Sequence, residues 1–227
     1  MKKIALLITL ACSSAISFAA SAASAPVTTN GKTSVIVTAK DCSEQTPCYV
    51  IKSSANVLSQ AINQNYSDKQ AYNMIQNSII PQIDFTLVTR MVMGQNWKTA
   101  TEDQQTKITS QFKDMLVYSY TSAVSKFKGA QVTINNSTIS PNNPKKAAVD
   151  STITMPSNGN SNNQPINVEY DLAKIGNSWK IYDVKIENAS IVMTYRGQFN
   201  DIIQANGIDG LISQLQTKVD KLKAAKW

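Results

Sequence analysis

Apolar positions along this chain keep two different periods. From about residue 49 to 126 they recur three and four residues apart. From Gly129 to Ile186 they alternate, and from Ile191 onward the helical step returns. The first pattern belongs to one-sided helices and the second to half-buried strands.

The helical part divides at its capping residues. Ile51, Val57, Leu58, Ala61 and Ile62 form one stripe. Asp68 reads as the N-cap of a second helix with Ala71, Tyr72, Ile75 and Ile79 on its buried side, and Pro81 interrupts it. Asp84 caps a predicted short helix over 85–93, with Gly94 where that helix would end. Thr101 and Gln104 have capping-box spacing and open what reads as the longest helix, to about Lys126. Its broad face carries Ile108, Phe112, Met115, Leu116, Tyr118, Ser119, Ser122 and Ala123.

Residues 132–134, 147–155, 166–172 and 178–186 read as four strands. Val149, Ser151, Ile153 and Met155 share a face, as do Ile166, Val168, Tyr170 and Leu172. Asp150, Thr152, Glu169 and Asp171 take the other face. Asp171 and Asp183 are expected to face solvent. SPNNP, the polar tip at 156–164 and residues 174–177 are turn chemistry.

Ile191, Val192, Tyr195, Phe199, Ile202 and Ile203 then stripe a helix that Gly207 closes. Asp209 can cap a last helix carrying Leu211, Ile212, Leu215, Val219 and Leu222. The fold class is therefore α+β: a twisted four-stranded antiparallel sheet packed against a layer of helices from both ends of the chain. With almost no slack between Ile186 and Ile191, the last strand should fix the angle of the helix that follows. Diverging layers can leave an elongated apolar pocket between them.

The N-terminus changes the picture by adding a destination. Lys2 and Lys3, the apolar run from Ile4 to Ala11 and the small residues Ala20-Ser21-Ala22 predict a secretory signal peptide over 1–22. Residues 23–45 read as a mobile arm, with 34–39 either a short strand or extended, and 46–227 as a single domain. Export with alanine-rich cleavage implies the bacterial periplasm. Cys12 leaves with the leader, so Cys42 and Cys48 remain. An oxidising compartment favours a disulfide between them; a metal pair is the competing reading, weak because C-x5-C lacks further ligands.

The formal net charge is +7, and loss of Lys2 and Lys3 takes it to +5. Only Arg90 and Arg196 are arginines, and lysines are spread along the chain, which argues against nucleic acid. Scattered lysines are commonly a solvated face; the functional reading is mild attraction to anionic lipid surfaces or acidic partners. Arg196 can pair with Asp183 or meet a helix end. The chain has no histidine, which removes the commonest general base and every histidine metal site. No nucleophile elbow or phosphate loop is present, and the eight glycines are isolated.

Three stretches resemble one family. They are W-K-I-Y-D-V-x-I-E-x-x-S-I-V-x-x-Y-R-x-Q-F-x-x-I-I from Trp179 to Ile203 with G-I-D-x-L-I from Gly207, then I-I-P-x-I-D-F from Ile79 with Val92, Gly94 and Trp97, and the Gln104–Tyr120 helix. Together they resemble the MlaC, or toluene-tolerance, family of periplasmic phospholipid carriers over roughly residues 50–215. The resemblance implies a carrier that takes glycerophospholipid between an outer-membrane lipoprotein–porin complex and an inner-membrane ABC transporter, docking on the latter's MCE-domain subunit. It thereby maintains outer-membrane lipid asymmetry. It implies a non-enzyme without metal or cofactor, acting as a monomer, whose cargo is the phospholipid. On that reading the lipid-binding residues are drawn from Phe112, Met115, Leu116, Tyr118, Val149, Ile153, Val168, Tyr170, Val184, Val192, Tyr195 and Phe199. About half of these are expected to touch lipid and the rest to be core, and Arg196 gains a third reading, contact with the lipid phosphate. The alternatives are a ligand-free envelope adaptor, and a hydrolase using carboxylates such as Asp171 or Asp183.

Overall fold

The structure is a computed structural model that describes residues 36–39, 42–121, 127–156 and 164–225. The expected leader, most of the expected arm, the predicted end of the long helix at 122–126 and most of the polar tip lie outside the described residues.

Strand β1 (Ile36–Ala39) is followed by helices α1 (Pro47–Asn63) and α2 (Asp68–Ser78), a 3-10 turn (Ile80–Gln82), and helices α3 (Phe85–Met93), α4 (Asn96–Thr99) and α5 (Glu102–Thr121). Strands β2 (Gln131–Ile139), β3 (Lys146–Thr154), β4 (Ile166–Ile175), β5 (Ser178–Ile186) and β6 (Ala189–Ser190) lead into α6 (Ile191–Ala224). Among the described residues the sheet has six strands in sequential order. Four antiparallel strands were expected; five, β2 to β6, are antiparallel, and β1 adds a parallel edge beside β2. The extra antiparallel strand is two residues long, too short for a period-2 pattern to register.

The capping chemistry places the helices. Asp84 caps α3 by accepting from the Leu87 amide at 2.9 Å. Thr101 and Gln104 form the expected capping box at α5. At α2 the cap is Ser67 rather than Asp68: Ser67 and Gln70 satisfy each other's backbone amides in a capping box, so Asp68 is already the first helical residue. Gly207 breaks α6 as expected: its backbone is non-helical (φ 70°, ψ 180°), so α6 is two helices that meet at a kink, and neither part exceeds the 20 residues of α5. Asp209 lies in the first turn of the second part, where it accepts from Gln104 at 2.8 Å.

The junction between sheet and last helix is a hairpin. Glu187 and Asn188 both have positive φ (48° and 65°), the conformation of a two-residue turn matched to strand twist. The chain folds back into β6, and α6 starts there, beside β5. Asp183, expected to face solvent, is buried because this return brings the start of α6 over it. Its Oδ1 accepts from the amides of Val184 (2.8 Å) and Val192 (3.0 Å), and Ser190 Oγ donates to Oδ2 at 2.5 Å. Ser190 in turn caps α6 by accepting from Met193 at 3.0 Å. One carboxylate thus ties strand, turn and helix start together.

Apolar packing falls into three clusters among the described residues. The first joins α3, α5 and α6 around Phe112, Ile108, Val92 and Leu211. The second joins the start of α1 to the sheet through Val149, Leu172, Trp179 and Ile181, and includes Cys42 and Cys48, which are bonded. The third is small and holds Ala55, Ile62 and Val132. Ile83 packs against the first two. A domain of this size usually has one contiguous core plus minor satellites; here two substantial cores lie on either side of a space.

Two substitutions test these placements. Gly94 ends α3 at φ +56°, and a Cβ there would come within 3.1 Å of the Arg196 guanidinium. Gly94→Ala should lower unfolding free energy by about 1–3 kcal/mol in urea denaturation; an unchanged midpoint contradicts the assignment. Asp183→Ala leaves a buried helix-start amide without its partner and should cost roughly 2–3 kcal/mol in the same measurement. A loss below about 0.5 kcal/mol, the usual range for surface changes, would show the junction is held otherwise.

Candidate lipid-binding cavity

The space between the clusters is a cavity of about 410 Å³. One wall is α1, through Ile51, Ala55, Leu58 and Ile62. A second is the end of α2 and the turn after it, through Ile75, Ile79, Ile80 and Ile83, continued by Phe85 and Val88 of α3. The C-terminal part of α5 adds Leu116, Val117, Tyr120 and Thr121. The sheet contributes Val132, Ile153, Tyr170 and the run Ile181–Val184, and α6 contributes Ile191 and Val192.

The run 181–184 reaches the cavity because β5 is not regular. Asp171 pairs with Asp183 and Leu172 with Ile181, so Tyr182 is an extra, bulged residue. A regular strand would alternate these four residues between faces; the bulge turns the strand locally and lets all four approach the same space.

Most polar groups on the wall have partners within the protein. Ser54 Oγ and Thr121 Oγ1 donate to carbonyls one turn back in their own helices, at 2.8 and 2.7 Å. Burial pushes the Tyr170 hydroxyl above its usual range, opposed by its hydrogen bond with Ser151. Burial does the same to Tyr195, reinforced by the Tyr120 hydroxyl that lines the cavity. Burial also raises Tyr182, next helped by the charge of Asp171. These phenols stay neutral at ordinary pH, and the Asp183 oxygens are already occupied. What remains facing the space is hydrocarbon.

Five of the residues expected to bind lipid lie on this wall: Leu116, Ile153, Tyr170, Val184 and Val192. The other seven do not. Phe112, Met115, Tyr118, Tyr195 and Phe199 belong to the α3–α5–α6 cluster, where the Phe112 ring meets Tyr195 and Phe199 edge-on at 5.0 Å each. Val149 sits in the cluster under α1, and Val168 is buried in β4. The reason is rotation of α5: its Phe112 face turns to α6, and only its last turns reach the cavity. The isoleucines of α1, α2 and the turn were read from the sequence as helix stripes and not as wall. A signal was present: Ile79 and Ile80 are adjacent beside Pro81, with Ile75 and Ile83 flanking, which is more apolar surface than one helix face can bury.

Asp171 and Asp183 pair across β4 and β5, and each carboxylate is held by partners within the protein. Burial raises the Asp171 carboxyl and Lys185 pulls it back, the two lying 3.0 Å apart. Lys185 also pairs with Glu169. Desolvation disfavours the Lys185 charge, but the hydrogen bonds to Glu169 and Asp171 outweigh it and raise its pKa. Arg196 is not with Asp183 and does not line the cavity; it lies over Gly94 at the C-terminal end of α3, where the helix dipole favours a cation. Among the described residues no group of three His, Cys, Asp or Glu side chains could hold a metal, and no helix is long and apolar enough to cross a membrane.

Known proteins match this arrangement. A solved structure of the phospholipid-binding protein from Ralstonia solanacearum, in complex with a phospholipid, is 26% identical and superposes with a TM-score of 0.67, covering 77% of this chain and 97% of that one. The toluene tolerance protein ttg2D of Pseudomonas putida is 27% identical over 157 residues, 68% of this chain and 70% of its own length. The intermembrane phospholipid transport system binding protein MlaC of Haemophilus influenzae is 23% identical over 192 residues, 81% of this chain and 87% of its own length. The MlaC protein family model matches residues 51–217, which runs from the first cavity residue of α1 into the last helix, and the chain belongs to the MlaC family.

Proposed function

We propose that this chain is a periplasmic carrier that holds the acyl chains of a glycerophospholipid in the cavity between α1, the sheet and the α3–α5–α6 layer. The observation that carries the reading is the cavity itself: about 410 Å³, walled by isoleucine, leucine and valine, with its polar groups turned into their own hydrogen bonds. A binding pocket of this volume lies in the ordinary range for small ligands. A wall that presents mostly hydrocarbon selects a hydrocarbon ligand. The phospholipid in the Ralstonia solanacearum protein supports the choice.

The energetics require such a wall. Each methylene exposed to water costs about 0.8 kcal/mol, so a chain of a dozen or more costs on the order of 10 kcal/mol to expose. Covering it is the whole task; no bond is made or broken, and the reading assigns no catalytic residue and no cofactor. The head group can remain in water and needs no dedicated cation. A ligand-free adaptor has no use for an unfilled apolar interior, so the cavity favours the carrier. On the family pattern, lipid passes between an outer-membrane lipoprotein–porin complex and the MCE-domain subunit of an inner-membrane ABC transporter, in support of outer-membrane lipid asymmetry.

Protein recovered from the periplasm should contain phospholipid in its organic extract, read by mass spectrometry. Leu58→Trp combined with Ile153→Trp fills the cavity from two walls and should cut bound lipid at least about ten-fold while the thermal midpoint holds, because the added rings bury apolar surface. Phe112→Ala should do the reverse: it costs about 3–5 kcal/mol of stability, yet the protein that remains folded keeps its lipid. Lipid content unchanged in the doubly substituted chain, or lost through Phe112→Ala alone, would place the ligand elsewhere.

A further inference from the structure

The fold gathers charge that the sequence spreads out. The β2–β3 and β4–β5 turns lie side by side at one end of the sheet, joined where the Lys174 amide donates to the Lys145 carbonyl at 2.8 Å. Lys145, Lys146 and Lys174 are exposed there. Lys146 and Lys180 sit across from the same β4 residue, Ala173. Residues 139–146 and 174–180 contain no acid, and among the described residues none of these four lysines has an ion-pair partner. Lys180 is tied inward, donating to the Pro81 carbonyl at 2.7 Å. Lys174 lies 6.0 Å from the centre of the Trp179 ring.

The same end carries apolar side chains in water. Ile139 is 49% exposed and Ile175 is 47% exposed. They are two of the three large apolar residues exposed among the described residues, the third being Met193 on α6. A sheet end lined with lysine only for solubility has no need of isoleucine at its strand ends. Neither isoleucine lines the cavity, so whatever they meet is separate from the cargo site.

We propose that this end of the sheet is a contact surface for an anionic membrane. The isoleucines that end β2 and β4, on opposite faces of the sheet, enter the interfacial layer end-on while the lysines around them face the lipid phosphates. The choice between a bilayer and an acidic protein rests on residue type. A protein carboxylate is gripped best by arginine's planar fork, and neither arginine of this chain is at this end. Lysine acts as a point charge, which suits diffuse surface charge.

Each lysine near an anionic surface multiplies partition by roughly five-fold, so three contribute on the order of 100-fold, and two half-exposed isoleucines add to it. That is a weak, reversible attachment comparable to a single lipid anchor. It concentrates the protein at a membrane surface and still lets it leave. The attachment does not depend on what fills the cavity.

Co-sedimentation tests it, using the exported chain recovered from the periplasm and vesicles of phosphatidylcholine with or without roughly one-third phosphatidylglycerol. The wild-type chain should sediment with the anionic vesicles at low salt, be released as salt rises, and ignore the neutral ones. Lys145→Gln/Lys146→Gln/Lys174→Gln should lose on the order of 100-fold in partition. Ile139→Ser/Ile175→Ser should weaken binding by about ten-fold while keeping its salt dependence. Both variants change exposed positions, so the thermal midpoint and the phospholipid in the extract should stay as in wild type, which separates this surface from the cavity. Unchanged partition in the lysine variant overturns the proposal. So does a wild-type chain that leaves anionic vesicles unbound, including one whose lysines capture only an acidic protein.

Discussion

The last helix starts at the edge of the sheet, not over its face. The turn at Glu187–Asn188 sends the chain back along β5, and the Asp183 carboxylate holds the first amides of α6 beside that strand. From there α6 meets the sheet chiefly through β5 and β6, while α1 lies across β1, β2, β3 and β5. The long helix therefore finds its apolar partners in α3 and α5 and builds a core apart from the one beneath α1. Two cores on one chain, touching at Ile83, leave room between them. The cavity follows from where one helix is allowed to begin.

On the proposed function, that arrangement has a consequence for how cargo would leave. A wall of aliphatic side chains is covered by the acyl chain it holds, so release into water exposes both. Transfer to another apolar site exposes neither at the end point. A carrier built this way is stable while loaded and reluctant to discharge into solvent, and hand-over to a partner with its own apolar site is the favourable route. Direction is then set by the difference in affinity between donor and acceptor, because the carrier can shift an equilibrium only by what it binds differently.

Much of the fold was legible because it rests on local chemistry. Asp84 and Gly94 bound α3, Thr101 and Gln104 open α5, and alternation finds four of the strands. The misreadings share a cause. Ser67 caps α2 in place of Asp68 because a capping box outweighs a lone acid, and Asp183 is buried because of a turn that no periodicity reports. The bulge at Tyr182 is likewise set by pairing with β4, not by the residue itself. The cavity was foreseen in kind but only partly in detail. Apolar spacing shows that the faces carrying Phe112 and Leu116 avoid water. It does not show which of them meets protein and which meets an unfilled space.

The nine-residue stretch from Ile75 to Ile83 and the facing positions on α1 carry many isoleucines, each with a methyl group that can be labelled and resolved. The most direct measurement is nuclear magnetic resonance of the isoleucine methyls with phospholipid bound. Ile51, Ile75, Ile79, Ile80 and Ile83 should show close contacts to acyl-chain protons, while Ile139 and Ile175, far outside the wall, show none. Contacts absent from the first group while lipid is bound would contradict the account, because the tails would then lie somewhere other than between the two cores.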